Sequence, residues 1–198
     1  MNTNINKRTL TNWEKSEKSL LNYQKYISRK ADRFQLNLID LLYISNFKGG
    51  NATINEDERI IEVKLEAYSR VLLSIDKEYS HKTLVQLSDL QRLIELGIEF
   101  INLSKKSETA IDGFKSSFLS TLLHSYFPNL FPILDRRLLI NLDLISETNL
   151  SKDKQVKDIA QFYSNLIEKV QEICRFSNKT IREMDKDYFN KPLPNWAK

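Results

Sequence analysis

Apolar residues recur every three or four positions in one segment after another. With so few residues able to break that spacing, the chain is committed to helices. The stretch from Leu84 to Leu103 shows the pattern plainly, carrying Leu87, Leu90, Ile94, Ile98 and Ile101 on one stripe. The breakers are scarce: four glycines and four prolines in 198 residues. A turn-rich sandwich or barrel needs more of both. A hydrophobic content of 41% against 28% charged residues is enough to bury a core and too apolar for a disordered chain. The expected fold is therefore all-α, one multi-helix domain over residues 1–198, with 1–11 and 190–198 as flexible or extended ends.

The remaining segments give the expected order of helices. Asn12 to Lys30 reads as a helix with Trp13, Leu20, Leu21, Tyr23, Tyr26 and Ile27 on its apolar face, and Phe34 to Ile44 as a buried one. The run Ser45 to Asn51 contains the chain's one Gly-Gly pair and marks a loop. A helix follows from near Glu58 through Ile75, although Ile60, Ile61 and Val63 also suit the start of a short strand. After Leu84–Leu103 and a polar loop from Lys105 come Ser116 to Phe127 and a helix from about Arg136 to Leu144. Lys154 to Phe176 reads as a long amphipathic helix and Thr180 to Phe189 as a short one. In that short helix Arg182, Asp185, Lys186 and Asp187 are expected to stay wet while Tyr188 and Phe189 dock.

Composition narrows the chemistry. A single cysteine, Cys174, excludes an internal disulfide and a cysteine-held zinc or iron–sulfur site. Only His81 and His124 are histidines, so no metal and no cofactor is expected. No signal-like or membrane-spanning apolar run is present, which fits a cytosolic protein with no membrane partner. The net charge of +4 is uneven: residues 1–50 hold nine Lys/Arg against four Asp/Glu, whereas residues 51–110 hold eight against eleven. A basic first third attracts phosphate.

Chemistry concentrates between Gly113 and Leu142. The helix there has an apolar side (Phe118, Leu119, Leu122, Leu123, Tyr126) and a small polar stripe of Ser117, Ser120, Thr121 and His124. His124 reads as a hydrogen-bonded packing residue, and Cys174 as a small hydrophobe. Then Phe131-Pro132-Ile133-Leu134 delivers Asp135 to the start of the next helix. An aspartate there is a natural N-cap, worth about 1 kcal/mol. Elsewhere, the loop Asn46 to Asn51 offers Lys48 beside Gly49 and Gly50, either as a plain interhelical turn or as a close-approach site for a ligand.

The order Gly113, small-faced helix from Ser116, approach through Pro132, and Asp135 followed by Arg136 resembles the helix-hairpin-helix DNA glycosylases. It is most similar to their adenine-glycosylase branch around Phe131–Asp135. The resemblance covers about thirty residues well and implies base excision from DNA, with Asp135 as the catalytic carboxylate. Ser117 stands where bifunctional members carry a Schiff-base lysine, so it implies a monofunctional hydrolase. The matching hairpin, Ala110 to Lys115, holds one glycine and an acidic Asp112. DNA contacts are expected from Gly113, Lys115, Ser117, Arg136, Arg137 and Lys48, while Arg136 and Arg137 also read as a solvated first helical turn. Cleaving an N-glycosidic bond passes through an oxocarbenium-like sugar, which a carboxylate stabilises while it orients water. The alternatives are a DNA- or protein-binding module on the same scaffold, and a helical subunit of a larger assembly.

Overall fold

The computed structural model describes residues 7–50 and 52–198, with side chains from Trp13 onward. Among these residues there are eight α-helices and no β-strand, only an isolated bridge between Leu150 and Val156. Residues 1–6 of the expected flexible start lie outside the described residues. Residues 7–11 belong to the first helix, α1 (Lys7–Ile27).

Helix α2 (Leu38–Phe47) packs on α1, and its start is later than the apolar run suggests. Asn37 accepts from the Ile39 N–H, and Asp40 accepts from the Asn37 N–H, so a capping box fixes the boundary. The same Asp40 is fully buried with Lys30 (Nζ–Oδ2 2.8 Å), Tyr23 and Tyr126, which ties α1 to α2 through a satisfied polar network. At the other end, Gly49 N–H donates to Asn46 O and Gly50 N–H to Ser45 O. That is a Schellman cap, and it requires the positive φ of +84° at Gly49. The turn reading of this loop holds: its two glycine N–H groups close α2.

Helix α3 (Glu58–Tyr79) settles the strand question in favour of helix. Ile61, Leu65, Tyr68, Leu72, Ile75 and Tyr79 are buried at helical spacing, while Ile60 and Val63 are exposed. The expected helix from Leu84 shortens to a 3-10 turn at Leu84–Gln86 and α4 (Gln91–Asn102). The physical reason lies far along the chain. Gln171 donates to the carbonyls of Leu84 and Leu87, and Arg175 to those of Val85 and Leu87, so these acceptors are committed to tertiary partners.

Helix α5 (Ser116–Tyr126) runs through the core, with Leu119, Leu122, Leu123 and Tyr126 buried. Helix α6 (Arg136–Asn141) stops three residues early because Asp143, at φ +57°, closes a second Schellman turn onto Leu139 and Ile140. The long helix expected from Lys154 begins only at α7 (Tyr163–Ser177): Lys154 and Asp158 take left-handed backbone, and a 3-10 turn spans Ile159–Phe162. Helix α8 (Ile181–Phe189) opens on a Thr180–Glu183 capping box. Residues 190–198 run largely extended but are docked, with Ala197 buried and Lys154 Nζ donating to Trp196 O.

The centre is filled by Tyr68, Phe100, Phe114, Phe131, Leu134 and Tyr163, each essentially inaccessible to solvent. Burial on this scale contributes about 1.5–3 kcal/mol per large side chain. Gly97 of α4 makes the closest approach possible: a Cβ there would stand 2.9 Å from Phe131 Cε1.

Candidate functional site

The small polar stripe of α5 has a single task, which is to hold the chain that leads to Asp135. Ser117 Oγ donates to Leu134 O at 2.8 Å, and Leu134 N–H donates to Ser120 Oγ at 2.9 Å. His124 Nδ1 lies 2.7 Å from Phe131 O; a carbonyl only accepts, so this nitrogen carries the proton. From α7, Tyr163 donates to Pro132 O at 3.0 Å. Four consecutive buried residues thereby have their main chain fastened before Asp135 emerges. Burial, together with the charge of Arg182, lowers His124 to about 4, so the ring is neutral and serves packing, as its sequence position suggested.

Asp135 caps α6: its Oδ1 accepts from the Arg137 N–H at 2.8 Å. Its Oδ2 faces Lys48 Nζ at 4.0 Å, and 28% of the side chain remains exposed. Lys48, at the capped end of α2, also donates to Ser117 Oγ at 3.0 Å. Burial pulls the Lys48 ammonium below its ordinary range; Asp135 and Asp185 oppose that and Arg182 adds to it. The serine that stands in place of a lysine in the family resemblance is thus touched by a lysine after all, delivered from another helix.

These groups line a cleft of about 690 Å³ together with Trp13, Phe47, Phe189 and Asp185. Helix α8 supplies a part that the sequence reading missed. Arg182 and Asp185 are not wet: Arg182 NH1 donates to Asp185 Oδ2 at 2.5 Å, and Asp185 is 4% exposed. The guanidinium also bonds Glu17 of α1 (Nε–Oε2 2.8 Å) and lies 3.9 Å above the Trp13 ring. Burial raises the Asp185 carboxyl to about 6, reinforced by Asp135 and opposed by Arg182 and Lys48. A signal was present: Asp185 sits on the same helical face as the buried Ile181 and Met184. Trp13 and Phe47 carried none, because only folding brings the start of α1 to the end of α2.

The expected DNA-contacting residues divide into two groups. Lys48, Ser117 and Asp135 form one cluster. Gly113, Lys115, Arg136 and Arg137 are not among the residues lining the cleft. Arg136 donates to Lys154 O at 2.6 Å, and Arg137 to Phe189 O and Lys191 O at 2.9 and 3.0 Å. Both guanidiniums therefore brace main chain, which corrects the reading of them as a solvated turn. Lys115 is exposed just before α5. At the hairpin, Gly113 takes φ +78°, and a Cβ there would stand 3.2 Å from Thr53 O. The Asp112 N–H donates to Glu56 Oε1 at 2.7 Å, while Glu56 Oε2 pairs with Lys64. A carboxylate from the chain itself holds the turn that the resemblance assigns to a phosphate.

Among the described residues, no group of three or more His, Cys, Asp or Glu side chains is placed to hold a metal ion. No helix among them is long and apolar enough to cross a membrane. Comparison with protein-family models, curated proteins and solved structures found no match.

Proposed function

We propose that this chain engages DNA and hydrolyses an N-glycosidic bond there, releasing a base, with Asp135 as the working carboxylate. The observation that carries the reading is the presentation of Asp135 into a cleft of about 690 Å³ on a main chain held by four hydrogen bonds. A carboxylate so fixed stabilises positive charge developing on a sugar at no cost of reorganisation. Trp13, Phe47 and Phe189 give the cleft flat apolar faces of the kind on which an extruded base stacks. Lys15 and Lys48 supply positive charge along the same lining. Asp185, holding its proton to about 6, is a second carboxyl able to protonate a leaving base.

A second reading has its own observation. Asp135 already caps the Arg137 N–H and faces Lys48, which is also what a purely structural carboxylate does. On that reading the scaffold binds DNA or a protein without chemistry.

End-labelled duplexes carrying a panel of damaged or modified bases separate the two, with heat and alkali revealing abasic sites. Base release by the wild type that disappears in folded Asp135→Asn supports hydrolysis. Salt-sensitive DNA binding shared by both proteins, without release from any duplex, supports the binding module.

A further inference from the structure

We propose that Lys48 is an imine-forming amine that captures the aldehyde of an abasic deoxyribose, so that the cleft cuts the strand as well as releasing the base. The proposal rests on the base-excision reading for the origin of that aldehyde.

The geometry supplies what such a step needs. The Lys48 amine lies in the cleft, its side chain only 15% exposed, within 4.0 Å of Asp135 Oδ2 and 3.0 Å of Ser117 Oγ. Its backbone is fixed by the cap at Gly49 and Gly50, and its placement against α5 is set by Ser117, which is itself anchored to Leu134 O. A lysine becomes a nucleophile when it loses its proton, and burial with a neighbouring cation is how proteins bring that about. Both conditions hold here: desolvation and Arg182 favour the neutral amine, against Asp135 and Asp185. The carboxylate beside it supplies the base that imine chemistry also requires.

The steps balance without any added oxidant, reductant or metal. Removing the base leaves a hemiacetal whose ring opens to an aldehyde at C1′. Neutral Lys48 Nζ adds to C1′, the carbonyl oxygen leaves as water, and a protonated imine results. That cation acidifies C2′, whose proton passes to Asp135. The freed electron pair forms the C2′–C3′ double bond as the C3′–O bond breaks, and the 3′ phosphate departs with it. Hydrolysis of the imine returns Lys48 as an amine.

The test uses the full chain and a duplex with one preformed abasic site, with cyanoborohydride to reduce any imine. Covalent adduct is read on a gel and mapped by mass spectrometry of peptides. The expected result is an adduct on Lys48, with trapping and strand scission at least tenfold lower in Lys48→Arg and unchanged in Lys106→Arg, an exposed control. No adduct, equal trapping in Lys48→Arg, or an adduct mapped to another amine would overturn the proposal. Should Lys48→Arg fail to fold, the map on the wild type decides alone. The duplex already lacks its base, so failure here leaves base release to be judged on the base-containing panel. Conversely, a Lys48 adduct without base release from any duplex would retain the amine and remove the excision reading.

Discussion

Lys48 Nζ and Asp135 Oδ2 stand 4.0 Å apart, one at the closing turn of α2 and the other at the opening residue of α6. Neither helix supplies both charges, so the pair exists only when α2 and α6 meet on α5. Ser117 of α5 touches Lys48 and the residue before Asp135, and so sets their separation.

Replacing Asp135 separates its chemistry from its capping. Asparagine keeps an N-cap oxygen, so Asp135→Asn is expected to melt close to the wild type while base release falls by about a hundredfold or more. Asp135→Ala is expected to lose the same activity and a further ~1 kcal/mol of stability. Calorimetry beside the cleavage assay checks both, and an Asp135→Asn protein with full activity would end the catalytic assignment.

Two buried groups should give opposing pH slopes. Asp185 keeps its proton to about 6 against an ordinary 3.8, so its contribution is present below about pH 4 and lost as pH rises through 6. His124 is held neutral down to about 4 against an ordinary 6.5, so its contribution is present above 6.5 and lost as pH falls through 4. Each is worth on the order of 3 kcal/mol, and over pH 4–6 they largely cancel. Urea unfolding across that window is expected to show Asp185→Asn gaining stability with rising pH relative to wild type. His124→Asn is expected to lose it. Parallel curves for all three proteins would contradict both assignments.

Gly97→Ala puts a methyl group 2.9 Å from Phe131 Cε1. The side chain must shift or the helices must part, at about 1–3 kcal/mol. Because Phe131 begins the segment that ends in Asp135, activity is expected to fall along with melting temperature. A drop in stability with full activity would show that the approach segment tolerates displacement.

At Gly50 the backbone argument can be isolated. Its φ is +73° and nothing lies within 4 Å of where a Cβ would stand, so alanine there meets strain without a clash. Gly50→Ala is expected to cost about 1–2 kcal/mol, and Gly50→Asn less, since asparagine tolerates the left-handed region better. Denaturant titration of the pair reads the difference directly.

The helical class and the segment from Gly113 to Asp135 were legible because periodicity and the serine stripe are local properties. The boundaries at Leu84 and Lys154 were not. At Leu84 the deciding hydrogen bonds come from Gln171 and Arg175, and at Lys154 and Asp158 from backbone angles that no apolar spacing records. Of the candidate site, Asp135, Lys48 and Ser117 were named singly, but their meeting was invisible. Asp185 carried its clue in the buried face of α8, and was discounted because charge on a short helix usually stays in water.

The Arg182 clasp on Glu17 and Trp13 bears on how the molecule is made. The cleft takes its lining from α1 and from α8, with six helices synthesised between them. A nascent chain that has already buried Phe131 and Leu134 still lacks Arg182, Asp185 and Phe189. The site is therefore assembled late in translation, and until α8 docks the growing polypeptide carries Asp135 on an incomplete surface.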